Sequence, residues 1–154
     1  MKESGGGGGK EKIKEGKALV DFLMAQKPQS TAAVFLLGLW QARIFKDSTE
    51  AAKTYRIAAD LGDAMALHSL GCLYGNGSGV ENDFREAVKL FRLAAKKGSA
   101  ASTYNLGCCF AKGTGIEVNK PHAAKCIKMA AKKGYGPAQN SYGALLQDGD
   151  GVSE

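Results

Sequence analysis

The sequence predicts an all-α fold, a solenoid of antiparallel helical hairpins that repeat every 36 residues. Two observations predict it. Of the 16 glycines outside the run at residues 5–9, twelve fall into four columns whose members are 36 residues apart. Segments 47–82 and 83–118 share 15 of 36 residues, and segments 83–118 and 119–154 share 10, where unrelated segments would share about two. Such a period is typical of stacked helical repeats. The four columns are Gly62, Gly98 and Gly134; Gly71, Gly107 and Gly143; Gly77, Gly113 and Gly149; and Gly79, Gly115 and Gly151.

The period divides the chain into a tail and four repeats. We expect residues 1–10 to form a flexible glycine-rich tail, 11–46 a degenerate first repeat, and 47–82, 83–118 and 119–154 three regular repeats, the last ending at a repeat boundary. In the first repeat Ala18 and Gly38 are as far apart as Ala87 and Gly107, so its two helices align with the others. Its turn glycine is replaced by Gln29, and its second loop is three residues shorter and lacks the Gly-x-Gly. A terminal repeat has one neighbour only, so it can depart from the consensus. The aligned residues are Ala18, Leu19, Phe22 and Met24 in the first helix and Ala32, Phe35, Leu37 and Gly38 in the second.

Helix A, the first helix of each regular repeat, has start and stop signals. Asp47, Asp83 and Asn119 stand at N-cap positions, where a side-chain oxygen accepts from first-turn amides. A glutamate follows each aspartate by three residues, so we expect the reciprocal hydrogen bonds of a capping box. Gly98 is expected to end the second regular A helix as a left-handed cap. Its apolar face comprises Ala87, Phe91, Ala94 and Ala95, at helical spacing.

Helix B, the second helix, is expected from about Ser99 to Ala111. Its larger core candidates are Tyr104, Leu106 and Phe110. Gly107 lies inside this helix, where glycine costs about 1 kcal/mol relative to alanine. Its recurrence in every repeat predicts a backbone contact too close for a side chain. The loop 113–116 that follows offers two positions for positive φ and one buried aliphatic residue.

These residues resemble the Sel-1-like repeat family. The resemblance rests on A-x3-Y-x2-A-A-D-L-G-D-A at 51–64, L-G-x2-Y-x2-G-x-G-V at 70–80, A-A-K-K-G at 94–98 and L-G-x2-F-x2-G-x-G-I at 106–116. It is strong over 47–154 and weak over 11–46. It implies a right-handed superhelix of α-hairpins, related to tetratricopeptide arrays, that acts as an adaptor in protein complexes and has no catalytic residues. A cysteine-rich branch of the family pairs its cysteines within each repeat, a pattern that this sequence lacks.

A basic stripe is the strongest candidate binding site. Basic residues recur at i, i+3 and i+7 of successive A helices, on one face, and stacking would bring them into register on a concave surface. We hypothesise a groove for an acidic peptide, with Arg56 and Arg92 gripping carboxylates through two hydrogen bonds each. The alternative interpretation is a solvated outer face of lysine-rich helices. The basic stripe comprises Lys53, Arg56, Lys89, Arg92, Lys96, Lys125, Lys128 and Lys132.

Other kinds of site are disfavoured. Nucleic-acid binding would require aromatic residues among the basic ones, yet Tyr55 and Phe91 fall on the apolar side of helix A. The glycine-rich segment 75–80 leaves a helix and is followed by Glu81 rather than Lys-Ser or Lys-Thr, unlike a P-loop. Segment 148–154 lacks the glutamate that calcium loops carry at position 12. We therefore expect no cofactor and no metal.

Nucleophilic catalysis is also disfavoured, because neither histidine has a motif around it. His68 aligns with Tyr104 in helix B, and His122 aligns with Glu86 in helix A, so we expect surface or packing roles. The four cysteines are expected to be free thiols that fill small buried spaces. Packed helices lie about 8–10 Å apart, too far for a disulfide between Cys72 and Cys108. A redox-sensitive pair involving Cys109 or Cys126 remains an alternative.

The formal net charge of +6 is compatible with an acidic partner. The start of the chain lacks the apolar stretch of a signal peptide, and no apolar run is long enough to span a bilayer, so a soluble cytoplasmic protein is expected. The predicted function is a non-enzymatic scaffold that binds a protein or peptide, without nucleic-acid binding or membrane insertion. The alternative function is a regulatory subunit that activates an enzyme within a longer repeat protein.

Overall fold

The computed structural model describes residues 30–149 and, upstream, residues 11, 14–16, 18–19, 21–22 and 25, which are helical. The expected tail at 1–10, Met24 and Gln29 of the first repeat, and the last loop from residue 150 onward, with Gly151, lie outside the described residues. Between residues 30 and 149 the chain forms seven α-helices of 13 residues each and no strand. They are α1 (Thr31–Arg43), α2 (Ser48–Asp60), α3 (Ala64–Asn76), α4 (Phe84–Lys96), α5 (Ala100–Lys112), α6 (Lys120–Lys132) and α7 (Gly136–Asp148).

The helices alternate between the two predicted types. The A helices are α2, α4 and α6, and the B helices are α1, α3, α5 and α7. Each helix packs against its neighbours in sequence, and the most extensive contacts join a B helix to the A helix of the next repeat. The predicted all-α superhelix of antiparallel hairpins with a period of 36 is therefore confirmed.

The A helices begin where the sequence predicts, but the capping box is only half formed. The side chains of Asp47, Asp83 and Asn119 accept first-turn amides as N-caps. The prediction of a reciprocal hydrogen bond to a glutamate is wrong. The backbone amide of each cap residue donates instead to a carbonyl at the end of the preceding B helix, at 2.9–3.1 Å. The glutamates are left for basic partners. The acceptors are Gln41 for Asp47, Tyr74 for Asp83 and Phe110 for Asn119.

The turn and loop glycines have the predicted conformations. Gly98 ends its A helix at φ +97°, and Gly113 and Gly115 have φ of +68° and +70°. Gly115 also lies against the start of the A helix of its own repeat, where an added Cβ would overlap the carbonyl of Phe84. The aliphatic residue after it, Ile116, is half-buried rather than buried, and it packs on the edge of a core cluster.

The core lies between each B helix and the next A helix. One buried cluster surrounds Tyr55 and Leu70, and a second surrounds Phe91, Leu106 and Phe110. Leu106 and Phe110 are therefore core residues as predicted. The prediction for Tyr104 is wrong, because this residue is half-buried, donates or accepts a hydrogen bond at 3.0 Å with Ser141 and packs on Tyr135.

The glycines inside the B helices contact the next A helix closely, as predicted. A Cβ at Gly71 would stand 2.8 Å from the ring of Phe91, and one at Gly107 would stand 3.1 Å from the carbonyl oxygen of Ala123. The close partner is backbone at Gly107 but an aromatic ring at Gly71 and at Gly38, where it is Tyr55. Gly143 on α7 has nothing within 4 Å, so its helix face is uncovered among the described residues.

Candidate functional site

The basic stripe lies on the exposed side of the A helices. The opposite side of each A helix buries small and aromatic residues, such as Ala51 and Tyr55 on α2, against the B helices. The basic residues occupy the positions of the A helices that face away from the B helices. Their side chains are therefore exposed, and only that of Arg56 is half-buried. The stripe thus lies on the solvent-exposed side of the A helices.

Arg56 links two repeats rather than facing solvent freely. Its Nη2 donates to the hydroxyl of Tyr74 at 2.9 Å, and its guanidinium pairs with Oε1 of Glu86 at 3.4 Å. The guanidinium carbon also lies 5.5 Å from the centre of the Tyr74 ring. Arg56 therefore joins α2 to α3 and to α4, and its fork is already occupied.

Two lysines of the stripe also have acidic partners. Lys53 pairs with Glu50 at 2.8 Å, and Lys89 pairs with Glu86 at 3.8 Å. The hydrogen bond and the charge of Glu50 raise the pKa of Lys53. Over α2 and the start of α4, then, glutamates offset part of the positive charge.

The other five members of the stripe form an unpaired basic patch on α4 and α6. None of them makes a salt bridge within the described part of the chain, and the sequence of α6 contains no acidic residue. Exposed side chains of this kind keep their charge available to a partner. The unpaired basic patch comprises Arg92, Lys96, Lys125, Lys128 and Lys132.

The difference between Arg56 and Arg92 has a cause in the sequence. One repeat later, Phe110 stands where Arg56 finds Tyr74, and His122 stands where it finds Glu86. Arg92 therefore meets neither a hydroxyl nor a carboxylate at those positions. The replacements contact each other instead, since the rings of Phe110 and His122 pack edge to face with centroids 4.5 Å apart.

An exposed apolar column that the sequence analysis missed runs beside the stripe. Ile57, Leu93 and Met129 are 39, 48 and 46% exposed, and each directly follows a basic residue of the stripe. Their spacing of 36 residues was the signal that could have revealed them. Large apolar side chains held in solvent next to a basic patch offer a partner contacts of both kinds.

A groove of about 480 Å³ lies on the same face, at the first regular repeat. The residues that line it include the basic Lys53 and Arg56 and the apolar Ile57, Leu70 and Val80. The groove therefore combines apolar and basic side chains, although Arg56 is already engaged by Tyr74 and Glu86.

The remaining candidate residues lie elsewhere. His68 packs on the ring of Phe91 of α4 and His122 on the ring of Phe110, in agreement with packing roles. All four cysteines are free thiols. Within residues 30–149 and the described positions upstream, no cluster of three or more potential metal ligands occurs. Over the same residues, no helix has both the length and the apolar character needed to cross a membrane.

Stacked two-helix repeats define a solenoid repeat protein. More specifically, the chain belongs to the Sel1 repeat family, whose model matches residues 31–63, 64–99, 100–135 and 136–154. The family spans begin at the B helices, and two of them are 36 residues long. Proteins of this family generally mediate protein–protein interactions and are generally not enzymes.

Solved structures agree with this assignment. The chain is similar to c5321, a protective antigen present in uropathogenic Escherichia coli strains, with 32% identity and a TM-score of 0.75 over 79% of this chain and 27% of the other. It is similar to a Sel1 repeat protein from Oxalobacter formigenes, with 30% identity and a TM-score of 0.78 over 94% of this chain and 62% of the other. Helicobacter pylori cysteine rich protein B shares the fold, with 20% identity and a TM-score of 0.66 over 88% of this chain and 98% of the other. The chain thus spans less than two thirds of the length of the first two proteins. The curated proteins include no significant match.

Proposed function

We propose that this chain is a non-enzymatic scaffold that binds an acidic segment of a partner protein on the exposed face of its A helices. The observation that carries the proposal is the unpaired basic patch on α4 and α6. Arg92 is its centre, because it lacks the two partners that engage Arg56 one repeat earlier.

The contact between Arg56 and Glu86 supports a continuous surface. These residues belong to A helices of successive repeats and meet at 3.4 Å, so side chains on neighbouring A helices can reach the same group. An acidic side chain of a partner placed next to Arg92 would take the place that Glu86 holds next to Arg56. A guanidinium with a free fork can bind such a carboxylate through two hydrogen bonds.

The exposed apolar column favours a partner segment that carries both acidic and apolar residues. A purely acidic peptide would leave Leu93 and Met129 in water, whereas leucines or other apolar residues among its carboxylates would cover them. We therefore expect an acidic segment with interspersed apolar residues to bind more tightly than polyglutamate of the same length.

Charge reversal on the patch tests the proposal. We expect Arg92→Glu with Lys128→Glu to weaken binding of a fluorescent peptide of alternating glutamate and leucine by at least about tenfold, because it replaces attraction by repulsion at two positions of the patch. Fluorescence anisotropy titrations at low and high salt measure the affinity. Binding by the unchanged protein should weaken as salt rises, since exposed charges are screened.

A second double variant controls for net charge. Lys97→Glu with Lys112→Glu makes the same change in charge at exposed positions outside the basic stripe, and we expect affinity within about twofold of the unchanged protein. Equal losses in both variants, or binding that salt leaves unchanged, would contradict the proposal. Capture of an enzyme whose activity rises with this chain would instead support the regulatory role.

A further inference from the structure

A second groove, of about 240 Å³, lies between the B helices α3 and α5. Its apolar lining comes from α4, through Phe84, Ala87 and Phe91. Three of the four cysteines of the chain also line it. They are Cys72 on α3 and Cys108 and Cys109 on α5.

Cys72 differs from the other cysteines in its polar neighbours. Its Sγ lies 3.6 Å from Nε2 of His68, one helical turn earlier, and 3.8 Å from the amide nitrogen of Asn105 on α5. The other ring nitrogen of His68, Nδ1, lies 2.8 Å from Oγ of Ser102, a fully buried residue of α5. The imidazole also packs on the ring of Phe91. Ser102, His68 and Cys72 therefore form a chain of polar contacts that ends at the groove.

This order of groups suits activation of a thiol. When Nδ1–H of His68 donates to Ser102, the lone pair of Nε2 faces the thiol of Cys72. Burial lowers the pKa of His68, so the imidazole is neutral at pH 7 and can accept a proton. Burial raises the pKa of Cys72, so the thiol is protonated and depends on that base to react. Asn105 can donate to the sulfur as negative charge develops on it.

We propose that Cys72 is a covalent addition site for small, soft carbon electrophiles, the α,β-unsaturated carbonyl compounds. The sulfur forms a bond to the β-carbon and the carbon–carbon π bond breaks. The thiol proton passes to Nε2 of His68 and then, through water, to the α-carbon. No leaving group and no oxidant are required. The apolar lining from α4 suits the carbon skeleton of such compounds.

The next repeat supplies an internal comparison. There, Tyr104 occupies the position of His68 and Cys108 the position of Cys72. A phenol has an ordinary pKa of about 10, so it already carries its proton at pH 7 and cannot act as a base. Cys108 therefore lines the groove without a base beside it. Cys126 is buried in the core. Of the four cysteines, all of them in the described part, Cys72 alone has an imidazole nitrogen within hydrogen-bond distance.

Alkylation by N-ethylmaleimide tests the site. Limiting reagent is added to the full chain and the modified cysteine is identified by intact mass and peptide mapping. We expect Cys72 to react first. Its rate should vary little between about pH 6.5 and 8, whereas an ordinary thiol with a pKa of about 8.5 gains nearly tenfold per unit there. The titratable groups facing the groove are the thiols of Cys72, Cys108 and Cys109 and the Lys112 ammonium, and α4 contributes none.

Removing the base separates the proposal from simple exposure. His68→Gln should slow alkylation of Cys72 at pH 7 by at least about tenfold and restore a steep pH dependence, as expected for loss of a general base. His122→Gln is the matched control and should leave the rate unchanged, and circular dichroism checks that both variants fold. Trans-2-hexenal should add to the same residue. Faster reaction at Cys108 or Cys109, or a Cys72 profile equal to that of the urea-unfolded chain, would overturn the proposal.

Discussion

Replacing Gly115 with alanine is expected to lower the free energy of unfolding by about 3 kcal/mol, since it combines two costs. The residue has φ +70°, a conformation that costs an L-residue about 1–2 kcal/mol. The new methyl group would also overlap the carbonyl of Phe84 at the start of α4. Backbone there cannot rotate away as a flexible side chain could, so the loop or the helix start must shift. Urea unfolding followed by circular dichroism measures the loss.

Gly98→Ala is the matched control for this substitution. Gly98 also has positive φ, +97°, but an added Cβ would meet nothing within 4 Å. It should show only the conformational cost of about 1–2 kcal/mol. If the two variants lose equal stability, the overlap with Phe84 contributes nothing and the explanation is wrong.

Gly71→Ala is expected to lower the free energy of unfolding by about 2 kcal/mol, although alanine is the better helix former. A Cβ at this position would stand 2.8 Å from the ring of Phe91, a rigid side chain that is 6% exposed and belongs to a core cluster. The overpacking should therefore exceed the gain of about 1 kcal/mol in helix propensity. Gly143→Ala should show that gain alone and raise stability by about 0.5–1 kcal/mol, because its Cβ would meet nothing.

A double-mutant cycle identifies the ring as the cause. Phe91→Leu is itself destabilising, but in that background Gly71→Ala should cost little, with a coupling of at least about 1 kcal/mol. Thermal and urea unfolding of the four proteins give the cycle. Additive losses would mean that Phe91 is not what requires glycine at 71.

The repeat architecture was predictable from this sequence because its signals are local. The caps Asp47, Asp83 and Asn119 and the left-handed glycine Gly98 act within a few residues of themselves. Their recurrence at one period reports the stacking, since every repeat meets the same neighbours. The prediction of a capping box was wrong because this hydrogen bond depends on a contact that is not local. Whether a cap amide bonds to its own glutamate or to the preceding B helix depends on how two helices pack.

The exposure of the basic stripe could be predicted from the sequence, but which of its charges have acidic partners could not. Helical spacing places all eight residues on the exposed side of the A helices. Spacing within a helix does not reveal that Arg56 reaches Tyr74 and Glu86, since both lie on other helices. The spacing also does not show that Ile57, Leu93 and Met129 are exposed, because apolar residues are usually expected on the buried face of a helix.

The sequence by itself determined where each regular A helix begins and which turn and loop glycines take a positive φ, because backbone conformation and helix ends depend on nearby residues. Only the tertiary structure decided which basic side chains have acidic partners and which thiol lies next to an imidazole. Arg56 and Arg92 occupy one column of the repeat, yet one is engaged and the other is not. Cys72 and Cys108 occupy another column, yet only Cys72 meets an imidazole that Ser102 holds from the next repeat. Such differences arise between helices of adjacent repeats, where side chains 30 or more residues apart in sequence come into contact.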